Sequence, residues 1–372
     1  MTAGASVEVL GGGKLWLESR AVDQLAQTAT LPGVLRAVGM PDLHPGQGSP
    51  VGAALLTEGI VYPHLVGSDV GCGMALWDTG VALRKVDIDR LERRLDLERT
   101  QEPSGHEQLE AEGAQPTGHE AALGTVGGGN HFAELLAIES VVDAEAAELL
   151  GLDRRRACLL VHSGSRGLGA ALYGDHLERW GRAGLEASSD AGQAYLDAHD
   201  NAVRWARANR AVVAERFLAA LRGKGRRLID ITHNGVERLE GAEAGWLHRK
   251  GAAPAGVGPV VIPGSRGDLS YVVAPRGDGR RNLASLAHGA GRKWARSEAK
   301  GKLGAEANAR ALRRTRLGSR VICDDKELLF EEAPQAYKPI ATVIEVLVEA
   351  ELIAVIAELR PLLTYKMRSR SR

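Results

Sequence analysis

The 46 glycines of this 372-residue chain are clustered rather than spread, and their placement constrains the fold more than any other feature. They gather at Gly11-Gly-Gly13, Pro45-Gly-Gln-Gly-Ser-Pro50, Gly67 to Gly73, Gly127-Gly-Gly129, Ser163-Gly-Ser-Arg-Gly-Leu-Gly169, Pro263-Gly-Ser-Arg-Gly267 and Gly289-Ala-Gly291. Most lie beside short apolar runs of strand type: Ala157-Cys-Leu-Leu-Val161, Leu228-Ile-Asp-Ile-Thr232, Pro259-Val-Val-Ile262 and Tyr271-Val-Val273. Strands that end in glycine-rich turns let the backbone approach a ligand closely. So many of them in one chain imply a site assembled from loops far apart in sequence.

Helices are fewer. The spacing of Tyr195, Ala198, Ala202, Trp205, Val212 and Phe217 predicts one or two helices over Ala187 to Leu221. A second is expected over Val343 to Leu359, stopped by Pro361, with shorter ones at Val86 to Leu97 and Val141 to Leu150. Glu102 to His119 is polar and punctuated by Gly and Pro, which reads as an exposed loop. There is no internal repeat, and the only biased tail is the short Arg368-Ser-Arg-Ser-Arg372. One interleaved α+β domain over residues 1–372, with mixed sheets flanked by helices, fits this pattern better than two domains.

Composition narrows the function. Hydrophobic residues at 44% and charged residues at 25% are ordinary for a globular protein and exclude wholesale disorder. No apolar run approaches the ~18 residues of a membrane span. The start, Met1-Thr-Ala-Gly-Ala-Ser6, lacks the basic and apolar regions of a signal peptide. Three cysteines in so long a chain point to a reducing compartment, with the cytoplasm as the default. The formal net charge is zero, yet Arg276 to Arg320 holds thirteen Lys/Arg against three Asp/Glu, while Val86 to Leu150 holds fifteen Asp/Glu against four Lys/Arg. Such a basic band can track phosphates or be an ordinary solvated helix face.

The chemistry-bearing residues sit in the glycine-rich segments. His131, His162, His233 and His288 each lie in, or follow, such a turn or strand end. Any one alone is more often a buried, hydrogen-bonded histidine than a ligand. Four in similar settings, with Asp69 and Cys72 in Val66-Gly-Ser-Asp-Val-Gly-Cys-Gly73, make a transition-metal ligand set. Cys72 could equally be a small buried residue in a tight turn. Walker A, His-Glu-x-x-His and Gly-x-Ser-x-Gly signatures are absent. His162 and Ser163 are neighbours on a strand and point to opposite faces, which excludes a serine hydrolase pair.

Taken together, these segments resemble the RtcB family of RNA-splicing and RNA-repair ligases. The resemblance begins at Met40-Pro-Asp-Leu-His-Pro-Gly-Gln-Gly48 and runs in family order through Gly67 to Gly73, Gly124-Thr-Val-Gly-Gly-Gly-Asn-His-Phe132 and Val161-His-Ser-Gly-Ser-Arg-Gly167. It continues through Thr232-His-Asn234, Arg249-Lys-Gly-Ala252, Ile262-Pro-Gly-Ser265 and His288-Gly-Ala-Gly-Arg292, ending at Leu359-Arg-Pro361 and Lys366.

The resemblance implies a GTP- and Mn²⁺-dependent ligase that joins an RNA 3′-phosphate or 2′,3′-cyclic phosphate to a 5′-hydroxyl. It implies that His288 carries a covalent GMP. Two ions would be held by Asp69, Cys72, His131, His162 and His233, with Cys72 bridging. Asn130, Glu134, Ser265, Ser270, Gly289, Ala290, Gly291, Tyr337 and Lys366 would contact the nucleotide. Val70-Gly71 replaces a more usual Ile-Asn, Met74 a Val-Arg type of continuation, and Arg266-Gly-Asp268 a less charged stretch; the chain is also shorter than many members. These departures point to a divergent repair paralogue, as in lineages coupled to a release-factor-like protein, and they bear on RNA preference more than on chemistry. A metal-dependent phosphoesterase and a non-catalytic RNA-binding subunit are the competing functions. Retention of His288 with Asn130, Glu134 and Lys366 argues against the first, and a complete ligand set against the second.

Overall fold

Two sheets carry the architecture of this computed structural model, which describes residues 4–11, 13, 15–98, 105–241, 244–304 and 308–368. The larger sheet contains all four strand-type runs singled out above. Its order is Val260–Ile262, Ser270–Pro275, Ile353–Met367, Phe132–Val141, Arg156–Ser163, Gly73–Ala82 and Arg226–Thr232, antiparallel throughout. Arg320–Cys323 adds to Ile353–Met367 in parallel. The second sheet runs Ser6–Val9, Val34–His44, Val51–Thr57, Gly245–Lys250 and Asn234–Leu239, with only its first pair parallel.

The two-residue period of the strands sorts their side chains between two cores. Along Arg156–Ser163, Cys158 and Leu160 join Val38, Met40, Ala54 and Leu56 of the second sheet in one apolar cluster. Leu159 and Val161 point the other way and pack on Val213, Ala214 and Phe217 of a long helix, Asp190–Leu221. The sheets thus face each other across one core, and the helix covers the outer face of the larger sheet. The α+β architecture with mixed sheets flanked by helices is the one expected.

Five local expectations shift. The segment expected to hold one or two helices forms a single one, Asp190–Leu221, started by the Ser189 hydroxyl accepting from the Gly192 amide. Val86 to Leu97 narrows to Ile88–Arg94, and Val141 to Leu150 to Ala144–Leu150, capped by Asp87 and Asp143; Val141 itself belongs to the preceding strand. The segment expected to be an exposed loop contains the helix Gly105–Ala111, whose buried Leu109 packs on Trp205 and Ala208; residues 102–104 lie outside the described residues.

The fifth shift is the largest. The helix expected to reach Leu359 ends at Glu349, turns at Glu351 (φ +58°), and becomes the strand Ile353–Met367. The β-branched Ile353, Val355 and Ile356 favour that state. Pro361 does not stop an element there but sits within the strand beside a register shift, the kind of irregularity where a residue without an N–H is tolerated.

Residues 1–3 and 369–372, which hold the start of the chain and most of the basic tail, lie outside the described residues. Among the described residues no helix is long and apolar enough to cross a membrane. All three cysteines are buried and unpaired.

Candidate metal and nucleotide site

The antiparallel order brings the glycine-rich turns to one rim of the larger sheet. Cys72 and His131 immediately precede Gly73–Ala82 and Phe132–Val141, while His162 and His233 end or follow Arg156–Ser163 and Arg226–Thr232. In antiparallel neighbours, strand starts coincide with strand ends, so four segments separated in sequence meet. Register makes this concrete: Met74 and Phe132 both pair with His162, and Gly73 pairs with Thr232. His233 is tied in further by its amide, which donates to the Cys72 carbonyl at 2.9 Å.

The Cys72 sulfur lies 3.2 Å from Nε2 of both His131 and His162. Asp69 Oδ2 is 2.9 Å from His131 Nε2. The His162 ring centroid is 5.1 Å from that of His131 and 5.1 Å from that of His233. All five expected ligands are therefore gathered. Cys72, His131 and His162 form the tightest group, with ligand atoms within 4.8 Å of one another.

The donor chemistry fits a divalent transition ion. Burial lowers His162 and His233 well below the ordinary imidazole value, so both rings are neutral and present lone pairs. Their Nδ1 atoms have no hydrogen-bond partner among the described residues. Burial, reinforced by the neighbouring Asp69 charge, pushes the Cys72 thiol up, so an incoming cation would have to displace its proton. Burial also acts to raise Asp69, but the His131 imidazole outweighs it and holds the carboxyl at about 2.

Two supports were not anticipated from the sequence. Arg210, on the long helix and fully buried, donates to the Gly71 carbonyl at 2.8 Å and the Ser163 carbonyl at 3.0 Å, while its Nε pairs with Asp230 at 3.0 Å. It fastens the Cys72 loop to the strand that carries His162. Gly71, one of the departures, has φ +77°, and a Cβ there would come within 2.7 Å of the Ala206 Cβ. The loop is pressed against the helix too closely for a side chain.

His288 arrives from the other direction, after the short strand Ser285–Ala287. Its ring centroid is 4.8 Å from that of His233. Its Nδ1 lies 2.7 Å from Oδ2 of Asp42, a residue inside the Met40 to Gly48 block that the sequence reading did not single out. Gly291 (φ +69°) closes on the same strand, since a Cβ there would meet the Asp42 carbonyl at 2.3 Å.

Above these groups opens a cavity of about 1000 Å³, bordered by Cys72, His162, His233 and His288; His131 does not itself border it. Of the expected nucleotide contacts, Asn130, Glu134, Ser265, Gly289, Ala290, Gly291, Tyr337 and Lys366 border the cavity. Ser270 does not; it is buried at the start of Ser270–Pro275, opposite Leu359. Burial raises Glu134 to about 7 despite a 2.5 Å hydrogen bond from Thr364 and the nearby Lys366. Burial lowers Lys366 to about 8, opposed by Glu332. Glu332, also unforeseen, accepts from the Tyr337 hydroxyl and from Arg292 at 3.0 Å, which leaves the Tyr337 hydroxyl engaged within the wall.

The basic band divides. Lys293, Arg296 and Lys302 border the large cavity, and Arg314 and Arg316 border a second cavity of about 600 Å³. Arg320 instead pairs with Asp89 and with Glu92 (2.7 Å), joining the end of the band to the acidic stretch.

The fold and site define a class: an α+β protein with a thiol–imidazole centre at the floor of a polar cavity, beside a histidine held by a carboxylate. The family model described as "tRNA-splicing ligase RtcB" matches residues 24–119 and 90–367, and the chain belongs to that family. It is 50% identical to an "RNA-splicing ligase RtcB2" of Escherichia coli over 364 residues, 97% of this chain and 96% of that protein. It is 32% identical to an "RNA-splicing ligase RtcB" of Mycobacterium tuberculosis over 431 aligned positions, 91% of this chain and 99% of that protein. A "tRNA-splicing ligase RtcB" of Thermococcus kodakarensis is 29% identical over 93% of this chain and 90% of its own length.

Proposed function

We propose that this chain, acting as one domain over residues 1–372, is an RNA ligase that seals a 3′-phosphate or 2′,3′-cyclic phosphate end to a 5′-hydroxyl end. It would use GTP and two Mn²⁺ ions, in the cytoplasm. The observation that carries the reading is the continuous row of rings from His131 through His162 and His233 to His288, which joins a metal-ligand set to a carboxylate-held imidazole on one cavity wall.

Asp69, Cys72, His131, His162 and His233 would hold the ions, with Cys72 shared because its sulfur is equidistant from two imidazole nitrogens. Bound ions would offset charge on phosphate oxygens. Thiolate with imidazole favours manganese, zinc or cobalt over magnesium, and availability would select manganese.

The chain's own residues account for the rest. With Nδ1–H donating to Asp42, His288 keeps its lone pair on Nε2 and is a competent nucleophile. Nε2 attacks the GTP α-phosphorus, an N–P bond forms, and pyrophosphate leaves. An oxygen of the RNA 3′-phosphate then takes the GMP and frees the imidazole. The 5′-hydroxyl attacks that activated phosphate, and GMP departs. A cyclic end would first be opened by water. Glu134 would accept from guanine N1–H and N2–H, which adenine does not offer, and backbone amides of Gly289 to Gly291 would approach the nucleotide where side chains would crowd it.

The test is incubation of the purified protein with Mn²⁺ and α-labelled GTP. Acid-labile, alkali-stable label on the protein is the expected result. A phosphoesterase or a non-catalytic RNA-binding protein would take up none.

A further inference from the structure

Two tryptophans border the cavity without belonging to any apolar cluster of the fold. Trp16 is 56% exposed, and Trp294 is half-buried. Large aromatic rings are normally buried for their apolar area, so two on one rim call for a ligand. Trp294 is carried on a fixed stem. The amides of Lys293 and Trp294 donate to the Ala336 carbonyl at 2.9 and 3.3 Å, and the Trp294 carbonyl accepts from Arg292 Nε at 3.1 Å. Around the ring stand ammonium groups, Lys293 at 5.4 Å and Lys302 at 5.9 Å from its centroid. Arg20 and Arg296 border the same opening.

We propose that Trp16 and Trp294 form a stacking platform for the nucleobases of a single-stranded RNA end entering the cavity. This rests on the RNA-ligase reading and adds to it the form in which the RNA is held. A single strand offers π-faces for the indoles and phosphates for Lys293 and for Lys302, whose ammonium otherwise pairs with Glu298 at 2.9 Å. A duplex keeps every base face but that of its terminal pair within its own stack, so it cannot lay successive bases on two indoles. The guanine of GTP is the weaker candidate, because the groups suited to its edge, Glu134 and Lys366, are buried in the wall rather than on the rim. Stacking tolerates any base, so the platform would confer preference for unpaired ends rather than for a sequence.

The experiment is a cycle between indole and base. Affinity is measured by fluorescence anisotropy, without GTP, for a single-stranded RNA with a 3′-phosphate and for the same RNA with abasic nucleotides near that end. Trp16→Ala and Trp294→Ala should each weaken binding of the intact RNA about tenfold. The abasic RNA should bind the wild type correspondingly less well and lose little more in the double variant. Trp16→Phe and Trp294→Phe should restore much of the affinity, which separates stacking from a folding defect. Equal loss from abasic substitution in wild type and double variant, or unchanged affinity in the double variant, would overturn the platform. Absence of guanylylation in the wild-type protein would instead overturn the ligase chemistry, since the binding measurement uses no nucleotide.

Discussion

Oδ2 of Asp42 lies 2.7 Å from Nδ1 and 3.2 Å from the backbone nitrogen of His288, although 246 positions separate the two residues. One fully buried carboxylate thus fixes the ring, its tautomer and the backbone that carries it. Asp42→Asn preserves size but can present an N–H to Nδ1, which moves the ring proton to Nε2 and removes the nucleophilic lone pair. The rate of protein guanylylation should fall by ~10² to 10⁴ while circular dichroism and metal content stay unchanged. A loss below about threefold would mean that Asp42 holds structure only.

His288→Ala tests the nucleophile itself. The variant should fold, bind metal and bind GTP, yet form no covalent guanylate and fail to seal a 3′-phosphate to a 5′-hydroxyl. An RNA already carrying a 3′-terminal guanylate bypasses the first step, so the variant should still seal it. Acid-labile guanylate on the His288→Ala protein would exclude this residue.

At the candidate metal centre the Cys72 sulfur lies 3.2 Å from imidazole nitrogens of two different histidines. Cys72→Ser should lower the affinity of both ions together, whereas His162→Ala should mainly weaken one. Metal stoichiometry after dialysis, read by elemental analysis, separates the cases. Full occupancy and activity in Cys72→Ser would remove it as the shared ligand.

The glycine-bounded strands and the clustering of Asp69, Cys72 and the histidines were legible because both write short, local patterns: mostly apolar runs of three to five residues, and those polar residues near their ends. Asp42, Arg210 and Glu332 were not, because each acts through a partner far along the chain, Arg210 on Gly71 and Ser163, for example. The only local sign of Arg210 is a charge amid Ala206, Ala211 and Val213, all buried on the same helix. The C-terminal strand was misread for a different reason. The stretch from Val343 to Leu359 is apolar apart from Glu345, Glu349, Glu351 and Glu358, which satisfies helical and buried-strand patterns alike, and the turn at Glu351 carries no Gly or Pro to mark it.

The basic band calls for a charge test that the fold refines. Arg313 is half-buried and donates to the Cys323 carbonyl at 2.9 Å, so reversing it would disturb structure. Arg314 and Arg316 are exposed and border the second cavity. Arg314→Glu with Arg316→Glu should weaken RNA binding and flatten its dependence on salt, as phosphate contacts are lost. Guanylylation by GTP, which needs no RNA, provides the control. Unchanged affinity and salt slope would return this part of the band to an ordinary solvated surface.

The proposed guanine contact of Glu134 would tie base selection to stability and pH. Its carboxyl is buried and raised to about 7 from an ordinary 4.5, chiefly by burial, with Thr364 and Lys366 opposing. The folded protein therefore holds this proton more tightly than the unfolded chain does. That contribution is fully present below pH 4.5 and is lost as pH rises through about 7, on the order of 3 kcal/mol. Glu134→Gln cannot ionise, so the variant should lose less thermal stability than the wild type between pH 5 and pH 8. The carboxylate left at pH 8 is a buried acceptor in search of donors, which guanine N1–H and N2–H would supply. GTP should then raise the melting temperature of the wild type more at pH 8 than at pH 6, and ATP should not. In Glu134→Gln the amide offers one acceptor in place of two, so the pH dependence of the GTP effect should disappear and the margin over ATP should shrink. Thermal denaturation with and without each nucleotide at the two pH values decides the matter: an equal GTP shift at both in the wild type would detach Glu134 from the base.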